Sequence, residues 1–222
     1  MIRKKIPVSM IVLNAIIIIG YLATFFVVSK VPSPIAWENG PIENAQVVIL
    51  LLGGIVAFIF AWKCKNKQFR WFALMVAPLW IILALRELSW GAVFMEPLGV
   101  DEITGPWFSS TIQLWYKPAV YPVLAAVVCL AAIIFFVTKQ FKTLSLLFRQ
   151  RGFPVFELLL VAVGAVITTA AEGHAGLSIP FSLSDGEGVL LEEWVELFAY
   201  LALFAAQWRV LLTLKRCVSG CE

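Results

Sequence analysis

The stretch Asp185-Gly-Glu-Gly-Val-Leu-Leu-Glu-Glu-Trp-Val-Glu196 carries three glutamates, at 192, 193 and 196, into an apolar segment that continues to Leu212. An ionised carboxylate in hydrocarbon is costly, so unpaired glutamates should not lie there. A counter-ion, a proton or a bound ligand must therefore compensate their charge. The stretch predicts a membrane-spanning helix with a polar site at its beginning.

The composition of the chain is that of a helical membrane protein. Of its 222 residues 61% are hydrophobic and 14% are charged, whereas an average soluble domain has about half and about a quarter. The apolar residues come in runs of about 20, the length of helix that crosses a hydrocarbon core of about 30 Å. We predict an all-α bundle of six transmembrane helices in a single domain, 1–222, with spans at about 6–28, 44–62, 69–90, 118–138, 153–171 and 189–212.

The distribution of charge predicts how the helices are oriented. All lysines and arginines except Lys30, Arg86 and Lys117 lie before span one, between spans two and three, between spans four and five, or around the end of span six. By the positive-inside rule we expect these segments and both termini to be cytoplasmic. The net charge of +3 reflects these loops. We therefore expect the lipid bilayer as a partner, and no nucleic acid.

The longest segment predicted to lie outside, 91–117, ends in an aromatic stretch, 105–117. It contains Trp107, Trp115 and Tyr116, whose rings favour the headgroup region of a bilayer. We predict that 105–117 lies along the outer interface, either as an aromatic anchor or as a lid over a site.

In this topology, polar residues from four helix ends meet at the outer interface. Glu43 begins span two, and Arg86 and Glu87 end span three. Glu172 and His174 end span five, opposite the glutamates that begin span six. Residues distant in sequence are thus predicted to lie at one membrane depth and to form one site.

The spacing on span six predicts which side chains face this site. Glu193, Glu196, Tyr200 and Gln207 follow at steps of three, four and seven residues, which is one face of a helix. Such polar side chains should point into the bundle rather than to lipid. Arg86 is the only cation that the topology places near this depth, so we expect it to be the counter-ion. Crowded carboxyls cannot all ionise cheaply, so one should hold a proton.

Acid–base chemistry and substrate binding both fit these residue types. A pair of carboxyls in different environments can supply a general acid and a general base. An arginine can clamp a phosphate or a carboxylate. The candidate catalytic residues are Glu193, Glu196, Glu87 and Arg86. The candidate substrate-binding residues are Glu43, Arg86, Trp90 and Tyr200.

A divalent metal is a further candidate cofactor. Carboxylate and imidazole ligands together suit zinc, iron or manganese. The candidate ligands are Glu172, His174, Glu192 and Glu196. The chain has a single histidine, whereas a two-metal site in a helical bundle usually needs two Glu-x-x-His motifs. An interfacial histidine held by hydrogen bonds is the alternative role for His174.

Two motifs carry a resemblance to a known family. Glu38-Asn-Gly-Pro-Ile-Glu43 precedes span two, and Arg86-Glu87-Leu-Ser89-Trp90-Gly91 closes span three. Over about residues 35–95 the chain resembles a family of small, functionally uncharacterised, multi-span bacterial inner-membrane proteins with an acid-x-Gly-x-x-Glu stretch and a Glu-x-Ser-Trp-Gly signature. It departs from that pattern at Arg86, where a second acid is expected, and at Ala92, where a polar residue is expected. The resemblance implies residence in a bacterial inner membrane and no particular activity.

Two classes of function remain open at this point. In the first, the outer-leaflet site binds or hydrolyses a lipid-linked or headgroup substrate, with or without a metal. The alternative is a proton- or cation-coupled transporter, in which the stripe from Glu196 to Gln207 continues as a polar path toward the cytoplasm. An accessory membrane subunit belongs to the same alternative, with the charges around Arg86 serving only to set helix register. The sequence leaves open whether the protein is an enzyme.

Overall fold

The structure is a computed structural model that describes residues 7–171, 173 and 183–219. Of the described residues 79% are helical, and they contain just one small sheet, of two strands. Among the described residues, five helices are long and apolar enough to cross a membrane. The chain is therefore an all-α membrane protein. Its helices are α1 (Val8–Val27), α2 (Pro41–Lys63), α3 (Lys67–Glu87), α4 (Ser110–Gln113), α5 (Lys117–Val137), α6 (Phe141–Arg149), α7 (Val155–Ala171) and α8 (Asp185–Ser219).

The helices overlap the predicted spans but differ from them in length. The five long apolar helices are α1, α2, α3, α5 and α8, whereas α7 is apolar but has 17 residues, near the lower limit for a span. Helix α2 begins three residues before the predicted span two. Helix α8 has 35 residues and is about 52 Å long, so it extends beyond a hydrocarbon core at one or both ends.

Helix α3 has well-defined ends, and the second of them differs from the prediction. The Asn66 side chain caps its first turn by accepting two backbone N–H bonds, at 2.9 and 3.2 Å. Three successive residues after its end, Ser89, Trp90 and Gly91, have positive φ angles of 43°, 60° and 104°. This left-handed backbone cannot continue a right-handed helix. The helix therefore stops at Glu87 rather than at position 90, and the chain turns into a short 3₁₀ segment, Ser89–Phe94.

Helix α8 lies at the centre of the bundle. It packs against α1, α2 and α7, while α2 also packs along α3. Its wholly buried side chains include Leu190, Val195 and Ala202, which pack against Ile17 of α1 in one apolar cluster. Helix α5 contacts α3 and α4 and buries few of its residues. We call the end of the bundle where α2 and α8 begin and α3 ends the acidic end, and the opposite end the basic end.

A small hairpin covers part of the acidic end. Its strands β1 (Gly99–Asp101) and β2 (Gly105–Trp107) are antiparallel. The Trp37 indole donates to the Ile103 carbonyl at 3.0 Å, and its ring occupies the place that a Cβ on Gly105 would need. The hairpin is thereby fastened to the segment that precedes α2. The predicted interfacial segment 105–117 thus consists of β2, the short helix α4 and their connections.

At the basic end, α6 joins α5 to α7. Its Leu147 side chain is buried among Phe69 of α3 and Val210 and Leu214 of α8. This contact holds the short helix under the bundle and closes the basic end around α8.

Candidate functional site

At the acidic end, an ion pair on α3 is hydrogen-bonded to a tyrosine of α8 and so joins the two helices. Arg86 donates to Oε1 of Glu87 through Nε at 3.0 Å, and its Nη2 lies 2.9 Å from the same oxygen. The Tyr200 hydroxyl donates to that oxygen at 2.7 Å and accepts from Arg86 Nη2 at 2.8 Å. The three side chains form a closed triangle, which fixes the position of each charged group.

The guanidinium of Arg86 is open on one side. Its side chain is 55% exposed, while that of Glu87 is 7% exposed. Glu196 Oε1 lies 3.6 Å from Arg86 Nη2. Within the described residues, Nη1 takes part in neither a hydrogen bond nor an ion pair. A guanidinium that is held by a buried carboxylate, and has donors left over, is preorganised to bind an anionic group.

A buried glutamine links α2 to α8 next to this ion pair. Gln46 is 0% exposed, and its Nε2 donates to both the carbonyl oxygen and Oε2 of Glu193, each at 2.9 Å. Its Oε1 is buried and has no hydrogen-bond partner among the described residues. A buried acceptor without a donor costs about 1–3 kcal/mol. Gln46 Oε1 is therefore an unsatisfied buried acceptor beside the Glu193 carboxyl group.

Glu43 completes the group of carboxyls. It is the third residue of α2, and its side chain accepts the backbone N–H of Asn39, which lies just before the helix. The helix dipole favours an acid at this position. Glu43 interacts electrostatically with Glu87 and Glu196, and Glu193 interacts with Glu43 and Glu196. We call the following set the Arg86 cluster: Glu43, Gln46, Arg86, Glu87, Glu193, Glu196 and Tyr200.

The Arg86 cluster holds more acidic than basic groups. It contains four carboxyls and one guanidinium, which lie close enough to interact. If all were ionised, the excess of negative charge in a half-buried site would be strongly unfavourable. Protons or a further positive charge must therefore compensate it.

Glu38 and Trp90 lie near the Arg86 cluster and make contacts outside it. Glu38 accepts the Ser89 hydroxyl at 2.8 Å through Oε1 and the Phe108 N–H at 3.0 Å through Oε2. Trp90, a predicted substrate-binding residue, accepts the Tyr116 hydroxyl on its carbonyl at 2.7 Å, and Lys117 Nζ lies 5.2 Å from its ring centroid. These contacts tie the left-handed turn after α3 to the segments around it, so they shape the rim of the site.

The predicted metal ligands are only partly described. Glu172 and His174 lie outside the described residues. Glu192 and Glu196 are partly buried on α8. In the described part of the chain, no three side chains of histidine, cysteine, aspartate or glutamate come together as a metal site. A divalent metal therefore remains a prediction that draws on Glu172 and His174.

The polar stripe of α8 is interrupted below Tyr200. Gln207 accepts the Trp80 indole N–H at 2.5 Å and donates to the Gly53 carbonyl at 2.8 Å. Between this pair and Tyr200 lies an apolar layer, whose members are Leu50, Ala84, Leu203 and Phe204. Across the residues that the structure describes, the polar groups thus form separate clusters rather than a continuous path.

A second buried polar cluster, near the basic end, was not predicted as a site. Glu157 of α7 is 0% exposed, and its Oε1 lies 3.0 Å from Arg209 Nη2 of α8. The Asn14 amide of α1 donates to the same oxygen at 2.9 Å. The sequence signal was an acid in span five and a base in span six, Glu157 and Arg209, inside apolar segments at similar depth. Because pairing between helices is not encoded locally, spacing alone could not join them.

Comparisons with known proteins found no similar protein. No protein-family model, curated protein or solved structure matches this chain. The resemblance of residues 35–95 to a bacterial inner-membrane family therefore stays a prediction, and the function must be inferred from the geometry of the Arg86 cluster.

Proposed function

We propose that the protein binds the headgroup of a zwitterionic amphiphile at the Arg86 cluster. The observation that carries this proposal is the exposure of Arg86. Its guanidinium is 55% exposed although Glu87, its partner, is nearly buried. An arginine serving a purely internal ion pair has no need of an open face, whereas a phosphate or carboxylate can accept from Nη1, which makes no hydrogen bond within the described residues.

The carboxyls around Arg86 favour a ligand that also carries a cationic group. Glu193 and Glu43 interact electrostatically, and within the described residues neither forms an ion pair with a lysine or an arginine. A primary ammonium would bring three N–H donors and one positive charge to these acceptors. A headgroup with an anionic and an ammonium group matches the site better than either group alone.

We further propose six spans, with α7 as the fifth, and with the basic end facing the cytoplasm of a bacterial inner membrane. The lysines and arginines around the basic end support this orientation by the positive-inside rule. The 17 residues of α7 suffice for a thin stretch of bilayer. This orientation puts the Arg86 cluster at the outer leaflet, where lipid headgroups are available to it.

A second role is favoured by the contacts between α3 and α8. The bonds of Arg86 and Tyr200 to Glu87 join the two helices, so the ion pair also supports their register. The transporter hypothesis has less support, because the apolar layer around Leu50 separates Tyr200 from Gln207. Hydrolysis assisted by a metal would draw on Glu172 and His174, so the proposal concerns binding alone.

The test is lipid binding by the Arg86→Gln variant. We expect native mass spectrometry of the purified chain to show bound phosphatidylethanolamine in preference to phosphatidylglycerol, which lacks the ammonium group. Losing a charge-assisted hydrogen bond of about 1.5–3 kcal/mol should weaken phosphatidylethanolamine binding at least about tenfold. Lys30→Gln, which removes an exposed cation outside the cluster, is the matched control and should bind as the unaltered chain does.

Thermal unfolding of the same variants separates the two roles. If Arg86→Gln lowers the unfolding temperature but binds phosphatidylethanolamine as the control does, the ion pair is structural and the binding proposal is wrong. Equal binding of the two lipids by the unaltered chain would contradict the part of the proposal that concerns the ammonium group.

A further inference from the structure

An apolar groove runs along the outside of the bundle between α3 and α8. Its volume is about 280 Å³. The wall on α3 is formed by Phe72, Val76, Leu79 and Leu83, at steps of four, three and four residues, which is one helical face. The groove exists because small alanines stand where α2, α3 and α8 meet, at positions 57, 73 and 206.

The polar atoms at the floor of the groove are already satisfied. Gln207, which lines the groove, accepts from the Trp80 indole and donates to the Gly53 carbonyl. The indole ring lies against Gly53, where a Cβ would approach to 2.4 Å. Because both polar atoms of the Gln207 amide are hydrogen-bonded within the protein, they are poorly placed to bind a polar ligand. The groove is therefore suited to hydrocarbon.

The groove begins next to the Arg86 cluster. Leu83 precedes Glu87 by four residues, or about 6 Å along α3, and Leu203 follows Tyr200 by three, or about 4.5 Å along α8. From Leu83 the α3 wall extends to Phe72, about 16 Å toward the basic end. A chain attached to a headgroup at Arg86 would enter the groove after about one helical turn.

The apolar lining of the groove, and its position next to the Arg86 cluster, favour the hydrocarbon chain of a lipid as the occupant. Lipid tails are as apolar as leucine, so entering the groove from a bilayer brings little hydrophobic gain. The headgroup contacts at Arg86 must then select the occupant, and the groove must accommodate its tail.

We infer that the groove holds one hydrocarbon chain of the amphiphile whose headgroup the Arg86 cluster binds. This inference rests on the proposed function and specifies its ligand: a zwitterionic lipid, with its headgroup against α3 and α8 and one tail between them.

The experiment is photo-crosslinking with phosphatidylethanolamine that carries a diazirine in the middle of one acyl chain. The full chain is reconstituted in phosphatidylcholine nanodiscs, irradiated and digested, and adducts are mapped. We expect adducts on 72–83 and 203–211 to exceed those on α5, whose exposed surface reports ordinary boundary lipid, by about tenfold, the factor for about 1.4 kcal/mol. Arg86→Gln should reduce the groove adducts to the α5 level.

A second set of variants tests the inference by filling the groove with a larger side chain. Val76→Phe, or Leu79→Phe at the more exposed rim if the first variant unfolds, should abolish the excess of groove adducts. Phosphatidylethanolamine binding should still depend on Arg86 in these variants. Val128→Phe on the exposed surface of α5 is the matched control and should change nothing.

The possible failures are distinguishable. Even labelling of α5 and the groove, with headgroup binding still dependent on Arg86, overturns the groove inference and leaves the proposed function intact. Groove adducts that Val76→Phe removes but Arg86→Gln does not would show a chain site unrelated to the Arg86 cluster. That result would overturn the inference, whereas the proposed function would be overturned only if phosphatidylethanolamine binding also failed to depend on Arg86.

Discussion

Replacing Glu157 by glutamine should destabilise the protein substantially. The substitution keeps the size of the side chain but removes the charge that Arg209 faces at 3.0 Å. Breaking one side of a buried ion pair typically costs about 3–5 kcal/mol, because the other charge is left uncompensated. The Arg209 side chain is 18% exposed, so water can reach part of it. We therefore expect a loss near the lower end, about 3 kcal/mol.

The reasoning predicts that an apolar replacement of the whole cluster restores stability. Buried ion pairs can often be exchanged for apolar residues of similar volume without loss. Since Asn14 also donates to Glu157 at 2.9 Å, its amide must be replaced too, or a buried donor remains. The triple variant Asn14→Leu, Glu157→Met, Arg209→Met should unfold within about 1 kcal/mol of the unaltered chain.

Reversible unfolding in mixed micelles, followed by circular dichroism, measures these differences. Glu96→Gln, an exposed acid, is the control and should change the free energy of unfolding by less than about 0.5 kcal/mol. The reasoning is refuted if Glu157→Gln costs no more than this control. It is also refuted if the triple variant is as unstable as the single one, because the loss would then not arise from an unpaired charge.

Two further predictions concern packing and pH. Gly53→Ala should destabilise the protein by about 1–3 kcal/mol, because the new Cβ would lie 2.4 Å from the Trp80 ring. Gly54→Ala is the control, since the atom nearest to its new Cβ lies at 3.4 Å. In the same micelles it should change the free energy of unfolding much less. In the hairpin, backbone N–H bonds lower the pKa of Asp101. Its turn should thus be fully stabilised above the ordinary aspartate pKa and should loosen as pH falls through the lowered value. Hydrogen exchange of the Ile103 and Thr104 amides, which donate to Asp101, should show this acid dependence, and Asp101→Asn should abolish it. An exchange rate that follows only the intrinsic pH dependence of a free amide would contradict the prediction.

Much of the local structure follows from the sequence. Each apolar run must satisfy its backbone hydrogen bonds internally in a bilayer, which permits only a helix over that length. Helix ends are less predictable when they depend on backbone angles. The left-handed turn at Ser89, Trp90 and Gly91 ends α3 at Glu87, although the apolar pattern continues to Trp90. Likewise, α8 extends well beyond its apolar run, since its first turns carry acids that favour a helix N-terminus.

The sequence predicted which residues form the candidate site only through their depth in the membrane. The sequence placed Glu43, Arg86, Glu87, Glu193 and Glu196 at one interface, because charged residues at helix ends share a membrane boundary. It did not indicate that Gln46 would be buried against Glu193, or that Trp90 would instead contact Lys117. Those contacts depend on the rotation of each helix about its axis.

The sequence by itself therefore determined that the chain forms membrane helices, and it determined which polar residues lie near which ends. Only the tertiary structure decided that α8 is the centre of the bundle, that Glu157 pairs with Arg209, and that a groove opens beside Glu87 and Tyr200. The physical reason is that lipid and neighbouring helices are equally apolar, so hydrophobic pattern carries little information about neighbours. Close approach at small residues such as Gly53, and buried polar groups that need partners, select the neighbours instead, and both act between segments distant in the chain.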